Sequence, residues 1–211
     1  MPVLSKIMPI IVPQAKAESL DRAVSVLESD GLVVAPTETR YGLLASAISA
    51  TAVARLFEVK GRAHNMPTAL FVRGIDDMER YGSVTPSARR LIARFLPGPL
   101  TLVLTAVVDW GAPRVVDGKI GFRWSSSPFI ASLLDRTAGP LTATSANRSG
   151  RPDPESIEEI AAIFGEGIDL YIDGGALTGP TSTVVECVGE SVRILREGAI
   201  SAAEIEESIR S

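Results

Sequence analysis

The chain has 211 residues, of which 45% are hydrophobic and 22% charged, with a net charge of −4. This is globular composition, which excludes a disordered chain, and no apolar run approaches the ~20 residues needed to span a bilayer. A single histidine (His64) and a single cysteine (Cys187) exclude a Cys/His zinc site and a disulfide framework.

The elements follow in chain order. Leu20, Ala23, Val24 and Leu27 recur at i, i+3, i+4 and i+7, one apolar helix face closed by Gly31. Leu32-Val33-Val34-Ala35 runs apolar into Pro36 and predicts a strand buried on both faces. Val53, Leu56 and Phe57 mark a second helix that leads into Lys60-Gly61-Arg62, and Thr68 to Val72 predicts a strand. Thr85-Pro86 combines an N-cap hydroxyl with proline at the first helical position, and Pro97-Gly98-Pro99 ends that helix. Leu100 to Val108 and Ile120 to Trp124 read as strands, and Ser127-Pro128 opens a helix carrying Ile130, Leu133 and Leu134. A strand from Leu141 to Thr144 enters a polar loop, Ser145 to Pro154, followed by a helix to Phe164 and a strand at Leu170 to Ile172. Thr183 to Val188 and Ser191 to Leu195 predict a hairpin around Gly189-Glu190, and Ser201 with Glu204 forms a capping box for the last helix. Helices alternate with strands, and the late hairpin adds antiparallel pairing. The expectation is an α/β (α+β) fold with a mixed sheet. No linker, repeat or low-complexity tract divides the chain, so one domain over residues 1–211 is expected, with its core at about 17–200.

The chemistry has few groups to draw on. There is no G-x-x-x-x-G-K-[ST] and no G-x-G-x-x-G after a strand, so any phosphate site is not a P-loop. A Ser-His-Asp triad would need His64, which has no nucleophile elbow near it. The start of the chain lacks an h-region with a small-residue cleavage site, and the acidic balance argues against a non-specific nucleic-acid coat. The expected setting is soluble and cytoplasmic, with no membrane.

Four polar segments follow or interrupt apolar elements. Pro36-Thr37-Glu38-Thr39-Arg40-Tyr41-Gly42 places small hydroxyls at a strand end, where they hydrogen-bond a ligand or cap a turn. Lys60-Gly61-Arg62 holds two cations that grip a polyphosphate or satisfy a helix C-terminus. Thr142 to Gly150 is dense in hydroxyls and amides after a strand, the usual ligand position in open α/β sheets and also a setting for an Asx turn. Arg123 ends a short strand and Arg196 ends another. Arg193 and Arg196 differ by an odd number, so on a regular strand they face opposite sides and one of them is surface. Trp124, beside Arg123, is a candidate to stack on a base.

In this order, the stretches Pro36-Thr37-Glu38-Thr39-Arg40-Tyr41-Gly42-Leu43, Lys60-Gly61-Arg62, Pro97-Gly98-Pro99-Leu100-Thr101, Thr144-Ser145-Ala146-Asn147-Arg148-Ser149-Gly150, Ser182-Thr183-Val184-Val185 and Leu195-Arg196-Glu197-Gly198 resemble the YrdC family, the L-threonylcarbamoyladenylate synthases. The resemblance covers about residues 20–200, and the pairing of K-x-R with S-x-N is its most specific part. It implies a twisted open mixed sheet with helices around a positively lined central cavity, in a short single-domain form. It also implies a nucleotidyltransferase reaction, in which L-threonine, bicarbonate and ATP give threonylcarbamoyl-AMP and pyrophosphate for t6A37 modification of tRNA.

Carried onto matching positions, Lys60 and Arg62 are the catalytic pair on the ATP phosphates. Thr39, Arg123 and Ser182 hold threonine, and Ser145, Asn147 and Arg196 complete the nucleotide site. The resemblance implies Mg²⁺ travelling with ATP and no metal held by the protein alone. It also implies contact with tRNA and with the proteins that transfer the threonylcarbamoyl group. The sequence departs from the family pattern at Arg40, where valine is common, at Ala63-His64-Asn65-Met66-Pro67 after the basic motif, at Phe71, where many members carry histidine, and at Ser125-Ser126-Ser127-Pro128. The competing expectation is a nucleotide- or RNA-binding paralogue of the YciO type with little synthase activity. A carbamoyltransferase-type domain from hydrogenase maturation is a third, weakened by the missing cysteines.

Overall fold

The computed structural model describes residues 9–210. The strands are β1 (Ile11–Pro13), β2 (Val33–Pro36), β3 (Tyr41–Leu44), β4 (Ala69–Phe71), β5 (Gly82–Ser83), β6 (Leu100–Ala106), β7 (Lys119–Arg123), β8 (Leu141–Ser145), β9 (Leu170–Asp173), β10 (Thr183–Val188) and β11 (Ser191–Arg196). The helices are α1 (Glu18–Glu28), α2 (Ala50–Lys60), α3 (Ile75–Tyr81), α4 (Pro86–Phe95), α5 (Pro128–Arg136), α6 (Ile157–Phe164) and α7 (Ala202–Arg210). The strands form one mixed sheet in the order β1-β9-β2-β3-β8-β4-β7-β6-β10-β11, with β5 paired to β6.

Two predicted N-caps are present, whereas α1 has its C-cap at Ser29, with Asp30, not Gly31, in the left-handed region at φ 60°. Thr85 Oγ1 accepts from Ala88 N at 3.1 Å at the start of α4. Ser201 and Glu204 exchange both bonds of a capping box before α7. Gly61 ends α2 in the left-handed region at φ 63°, the conformation that favours glycine after a helix. The hairpin turns at Gly189, also left-handed at φ 56°. Four elements have no counterpart in the sequence expectations: β1, β3, α3 and β5. Strand β3 begins inside the segment expected to be a polar turn. It exists because Tyr41 to Leu44 pair antiparallel with β2 on one side and with β8 on the other.

The two halves of the sheet are covered differently. In the β1–β3 half, Val33 and Ala35 point into a cluster with Ala23, Val24 and Leu27 of α1 and Ile130 and Leu133 of α5. Val34 points the other way, into a cluster with Leu56 and Phe57 of α2 and Ile160 and Phe164 of α6. That half is buried on both faces, as the unbroken apolar run of β2 predicts. In the β4–β11 half, Leu70, Phe122, Leu102, Leu104, Val185 and Cys187 face a cluster under α3, α4 and α7. The alternate residues of the same strands face a cavity.

The β9–β10 connection closes over this arrangement. β9 and β10 lie seven places apart in the sheet order. At ~4.8 Å per strand a flat sheet would separate them by about 34 Å. The ten residue steps from Asp173 to Thr183 reach that only when fully extended. The loop is not extended, because Gly175 turns it in the left-handed region at φ 82° and its N donates to Asp173 Oδ1 at 2.9 Å. The sheet must therefore curl, and the loop crosses its concave side.

Candidate active site

The cavity measures about 490 Å³ and lies on the concave face of the β4–β11 half. Its floor follows from strand register. Ala143, Ala69, Gly121 and Val103 are cross-strand neighbours, and three of these four side chains are a methyl group or nothing. A Cβ at Gly121 would stand 3.1 Å from Ala69 Cβ, so the floor is packed as tightly as small residues allow. Two residues along, Phe71, Arg123, Thr101, Val184 and Arg196 form a second row of neighbours. Two residues the other way, Ser145 on β8 and Lys119 on β7 line the opposite end, with Arg62 reaching in. Arg123 and Lys119 are four residues apart on one face of β7, about 13 Å.

Five cations (Arg40, Arg62, Lys119, Arg123, Arg196) and three carboxylates (Asp117, Asp153, Glu186) line the cavity. That is an excess of two positive charges inside a chain whose net charge is −4. Burial lowers the pKa of Arg62 and of Arg196, yet a guanidinium stays charged at any ordinary pH.

The K-x-R and S-x-N motifs meet, and one residue of each lines the cavity. Lys60 is 2% exposed. Its Nζ donates to Asn147 O at 2.9 Å, to Asn147 Oδ1 at 2.7 Å and to Ser145 O, which accounts for all three ammonium protons. Asn147 Oδ1 also accepts from Ser145 Oγ at 2.8 Å, and Asn147 Nδ2 donates to Arg151 O. Ser149 N returns to Lys60 O at 3.0 Å. Lys60 and Asn147 are absent from the cavity wall, while Arg62 and Ser145 line it. Arg62 is set by bonds to Pro67 O at 2.7 Å and Thr144 Oγ1 at 3.4 Å. Burial, reinforced by neighbouring Arg62 and opposed by Asp153, lowers Lys60 to about 8.

At the other end, Arg123 Nη2 donates to Glu38 Oε1 at 2.5 Å and to Thr39 Oγ1 at 2.8 Å. Its guanidinium carbon lies 5.3 Å from the centre of the Phe71 ring. Ser182 Oγ is 2.9 Å from Thr101 Oγ1, and Arg196 Nη2 donates to Ser182 O at 2.9 Å. The structure thus groups Arg196 with Thr101, Ser182 and Arg123 rather than with Ser145. Thr101, Glu38, Asp153 and Lys119 received no role from the sequence. Thr101 and Glu38 carried a signal, their places in the Pro97-to-Thr101 and Pro36-to-Leu43 stretches, and Asp153 lies in the polar loop Ser145 to Pro154; Lys119 joins the site only through register.

Two expectations, for Arg193 with Arg196 and for Trp124, need correction. Arg193 and Arg196 share a face despite their odd spacing. Val185 pairs with Ile194 and Val184 with Arg196, so Leu195 is the extra residue of a β-bulge. Arg196 enters the cavity, while Arg193 stays exposed, paired to Glu186 at 3.1 Å. Trp124 does not line the cavity; it packs in the cluster under α3 and α4, within 3.8 Å of where a Cβ on Gly74 would stand. His64 is exposed and stacked on Phe57 at 5.8 Å. Cys187 is fully buried, and burial pushes its thiol up to about 11.

Arg40, the departure from the common valine, lines the cavity and ties down the crossing loop. Its Nη1 donates to Leu177 O at 2.7 Å and lies 3.6 Å from a Glu155 oxygen. Tyr41 acts beside it, donating to Gly175 O at 2.7 Å and accepting from Gly174 N at 3.0 Å. Among the described residues, no group of three or more His, Cys, Asp or Glu side chains could hold a metal by itself. No helix there is long and apolar enough to cross a membrane.

Fold and cavity together define an α/β protein with a cationic, hydroxyl-lined binding site on the open face of a curled mixed sheet. Comparison with known proteins narrows this class. The family model for the Sua5/YciO/YrdC domain, described as telomere recombination, matches residues 25–198, and the chain belongs to that family. It is 35% identical to the threonylcarbamoyl-AMP synthase of Bacillus subtilis over 192 residues, 89% of this chain and 56% of that protein. It is 34% identical to a putative threonylcarbamoyl-AMP synthase of Mycobacterium tuberculosis, over 92% of this chain and 91% of that one. The crystal structure of P. abyssi Sua5 complexed with L-threonine superposes with a TM-score of 0.85 at 35% identity, covering 96% of this chain and 61% of the other. The chain therefore spans little more than half of some relatives and nearly all of others.

Proposed function

We propose that the chain is a threonylcarbamoyl-AMP synthase, a nucleotidyltransferase that joins L-threonine, bicarbonate and ATP and releases pyrophosphate, supplying t6A modification of tRNA. The observation that carries this reading is the two-ended cavity. Arg123, Thr39, Ser182 and Thr101 offer a guanidinium and hydroxyls to a small hydroxy-amino acid. Arg62 and Ser145 face the other end, about 13 Å away along the sheet. Relatives named as synthases at about 35% identity, and a threonine-bound relative of the same fold, support it.

The chemistry suits these groups. Threonine brings its own amine nucleophile, so the protein's work is to bring amine, carbonate carbon and α-phosphorus together and to neutralise the departing pyrophosphate. Arg62 is the cation of the basic motif that faces the cavity, and it takes the phosphate role; Lys60 and Asn147 hold the loop that carries Ser145. Arg196 stands in the same row as Arg123, and both Asp153 and Arg123 act on its charge. Mg²⁺ would ride on the phosphates. Asp153, close enough to act on Lys60 and Arg196, is a carboxylate that suits such a cation shared with phosphate oxygens and water. Bound there, the cation would offset charge on the leaving group.

The test is an incubation with ATP, threonine and bicarbonate, following pyrophosphate and the mass of threonylcarbamoyl-AMP. Release that requires threonine supports the reading. Nucleotide binding with no threonine-dependent turnover overturns it in favour of a binding paralogue.

A further inference from the structure

The Arg123 guanidinium is already engaged by a carboxylate of the chain itself. Glu38 and Arg123 side chains are 13% and 12% exposed, an almost fully buried pair. Both protons of Arg123 Nη2 are spent, one on Glu38 Oε1 and one on Thr39 Oγ1. The second Glu38 oxygen accepts from Ser125 Oγ, and Ser125 Oγ in turn accepts from Ser127 N at 3.1 Å, at the start of α5. Thr37 donates its own hydroxyl proton to Arg40 O at 2.6 Å, and its oxygen accepts from Thr39 N and Arg40 N. The hydrogen bonds thus run without a break from the backbone of Ser127, just before α5, through Ser125 and Glu38 to Arg123, and end at Thr39 on the cavity wall.

This geometry has a chemical consequence. An arginine alone at the end of a strand samples many rotamers and offers its fork in many directions. Here Phe71 flanks one face and Glu38 consumes one nitrogen, so only the remaining edge is left to meet an incoming carboxylate. Ordering is done before the ligand arrives, which is how a binding site lowers the entropy cost of capture. The Glu38 charge also balances Arg123, so the buried cation is not left uncompensated when the site is empty.

We propose that Glu38, braced by Ser125, is a positioning residue for recognition of the substrate carboxylate: it acts through Arg123 and sets selectivity for an amino acid over the same amine without its carboxylate. This rests on the reading of Arg123 as the threonine anchor. The departure at Ser125-Ser126-Ser127 thereby acquires a role, because Ser125 supplies the brace.

The experiment is calorimetric binding of L-threonine, L-threoninol (which lacks the carboxylate) and ATP to the wild-type protein and to Glu38→Ala, Glu38→Gln, Arg123→Ala and the Glu38→Ala/Arg123→Ala double variant. Glu38→Ala is expected to weaken threonine about tenfold or more and to leave threoninol and ATP within about twofold. Glu38→Gln, which keeps an acceptor for Arg123, is expected to recover part of the loss. The double variant is expected to be no weaker than Arg123→Ala alone, because one residue acts through the other. Equal weakening of threonine and threoninol, a loss in ATP binding of the same size, or additive effects in the double variant would overturn the positioning role. A wild-type protein that binds no threonine overturns the functional reading and this one together; one that binds threonine without releasing pyrophosphate overturns only the activity.

Discussion

The two halves of the sheet use the same kinds of strand for opposite ends. In the β1–β3 half, helices cover both faces: α1 and α5 on one, α2 and α6 on the other. β2 is buried at every position. In the β4–β11 half, α3, α4 and α7 cover one face, and the other is left as the cavity floor. β7 and β10 accordingly alternate between buried and half-buried residues. A strand buried twice contributes stability; a strand buried once has side chains left over for a ligand. Arg40 and Tyr41, where β3 begins, hold the β9–β10 loop through Leu177 O, Gly175 O and Gly174 N.

That contrast can be broken by mutation. Leu56 is fully buried between α2 and the covered half. Leu56→Ala is expected to cost about 2–5 kcal/mol of stability, read by urea denaturation, with the KM values of the remaining folded enzyme little changed. Arg62→Ala should do the reverse, losing about 10²-fold in threonine-dependent pyrophosphate release with an unchanged urea midpoint. An Arg62 variant that unfolds instead would show that the open face also carries the fold.

The Lys60 knot sits on the border between the halves, and it should show both effects. Asn147→Ala removes an acceptor from a buried ammonium, and about 1.5–3 kcal/mol of stability should go with it. Lys60→Met combined with Asn147→Ala should cost little more than the larger single change, since both dismantle one network. Additive costs would mean that Lys60 and Asn147 contribute independently and form no single network.

The last effect concerns pH. Lys60 titrates at about 8 in the folded protein, against 10.5 when unperturbed. Between those values the unfolded chain binds more protons, so stability rises with pH and is lost again as pH falls toward 8. The stability difference between wild type and Lys60→Met should therefore shift in favour of wild type from pH 8 to about 10.5 and stay level below 8. A difference that is level throughout would mean that Lys60 keeps an ordinary pKa.

Much of this was legible in the order of residues. The periodicity of α1, the Thr85 and Ser201 caps and the unbroken run of β2 are local signals, and local physics reads them correctly. The shortest elements escaped. α3 is a seven-residue helix with Met78 as its one buried residue, and β3 forms because two neighbours pair with it. Its own four residues follow a turn-like, polar segment. The site divides in the same way. The resemblance marked Thr39, Lys60, Arg62, Arg123, Ser145, Asn147, Ser182 and Arg196 as the groups to watch, and all but Lys60 and Asn147 line the cavity.

The sequence by itself determined which chemistry was available: guanidinium, hydroxyl and amide groups, with one histidine and one cysteine that play no part in the cavity. Only the tertiary structure decided how each was spent. Lys60 and Arg62 are two residues apart, yet one closes a buried knot and the other lines the cavity. Arg193 and Arg196 share a face because one bulge shifts the register. Glu38 meets Arg123 across 85 residues of sequence. Hydrogen bonds and burial depend on distance in space, and spacing along the chain does not encode that distance once strands are reordered in a sheet.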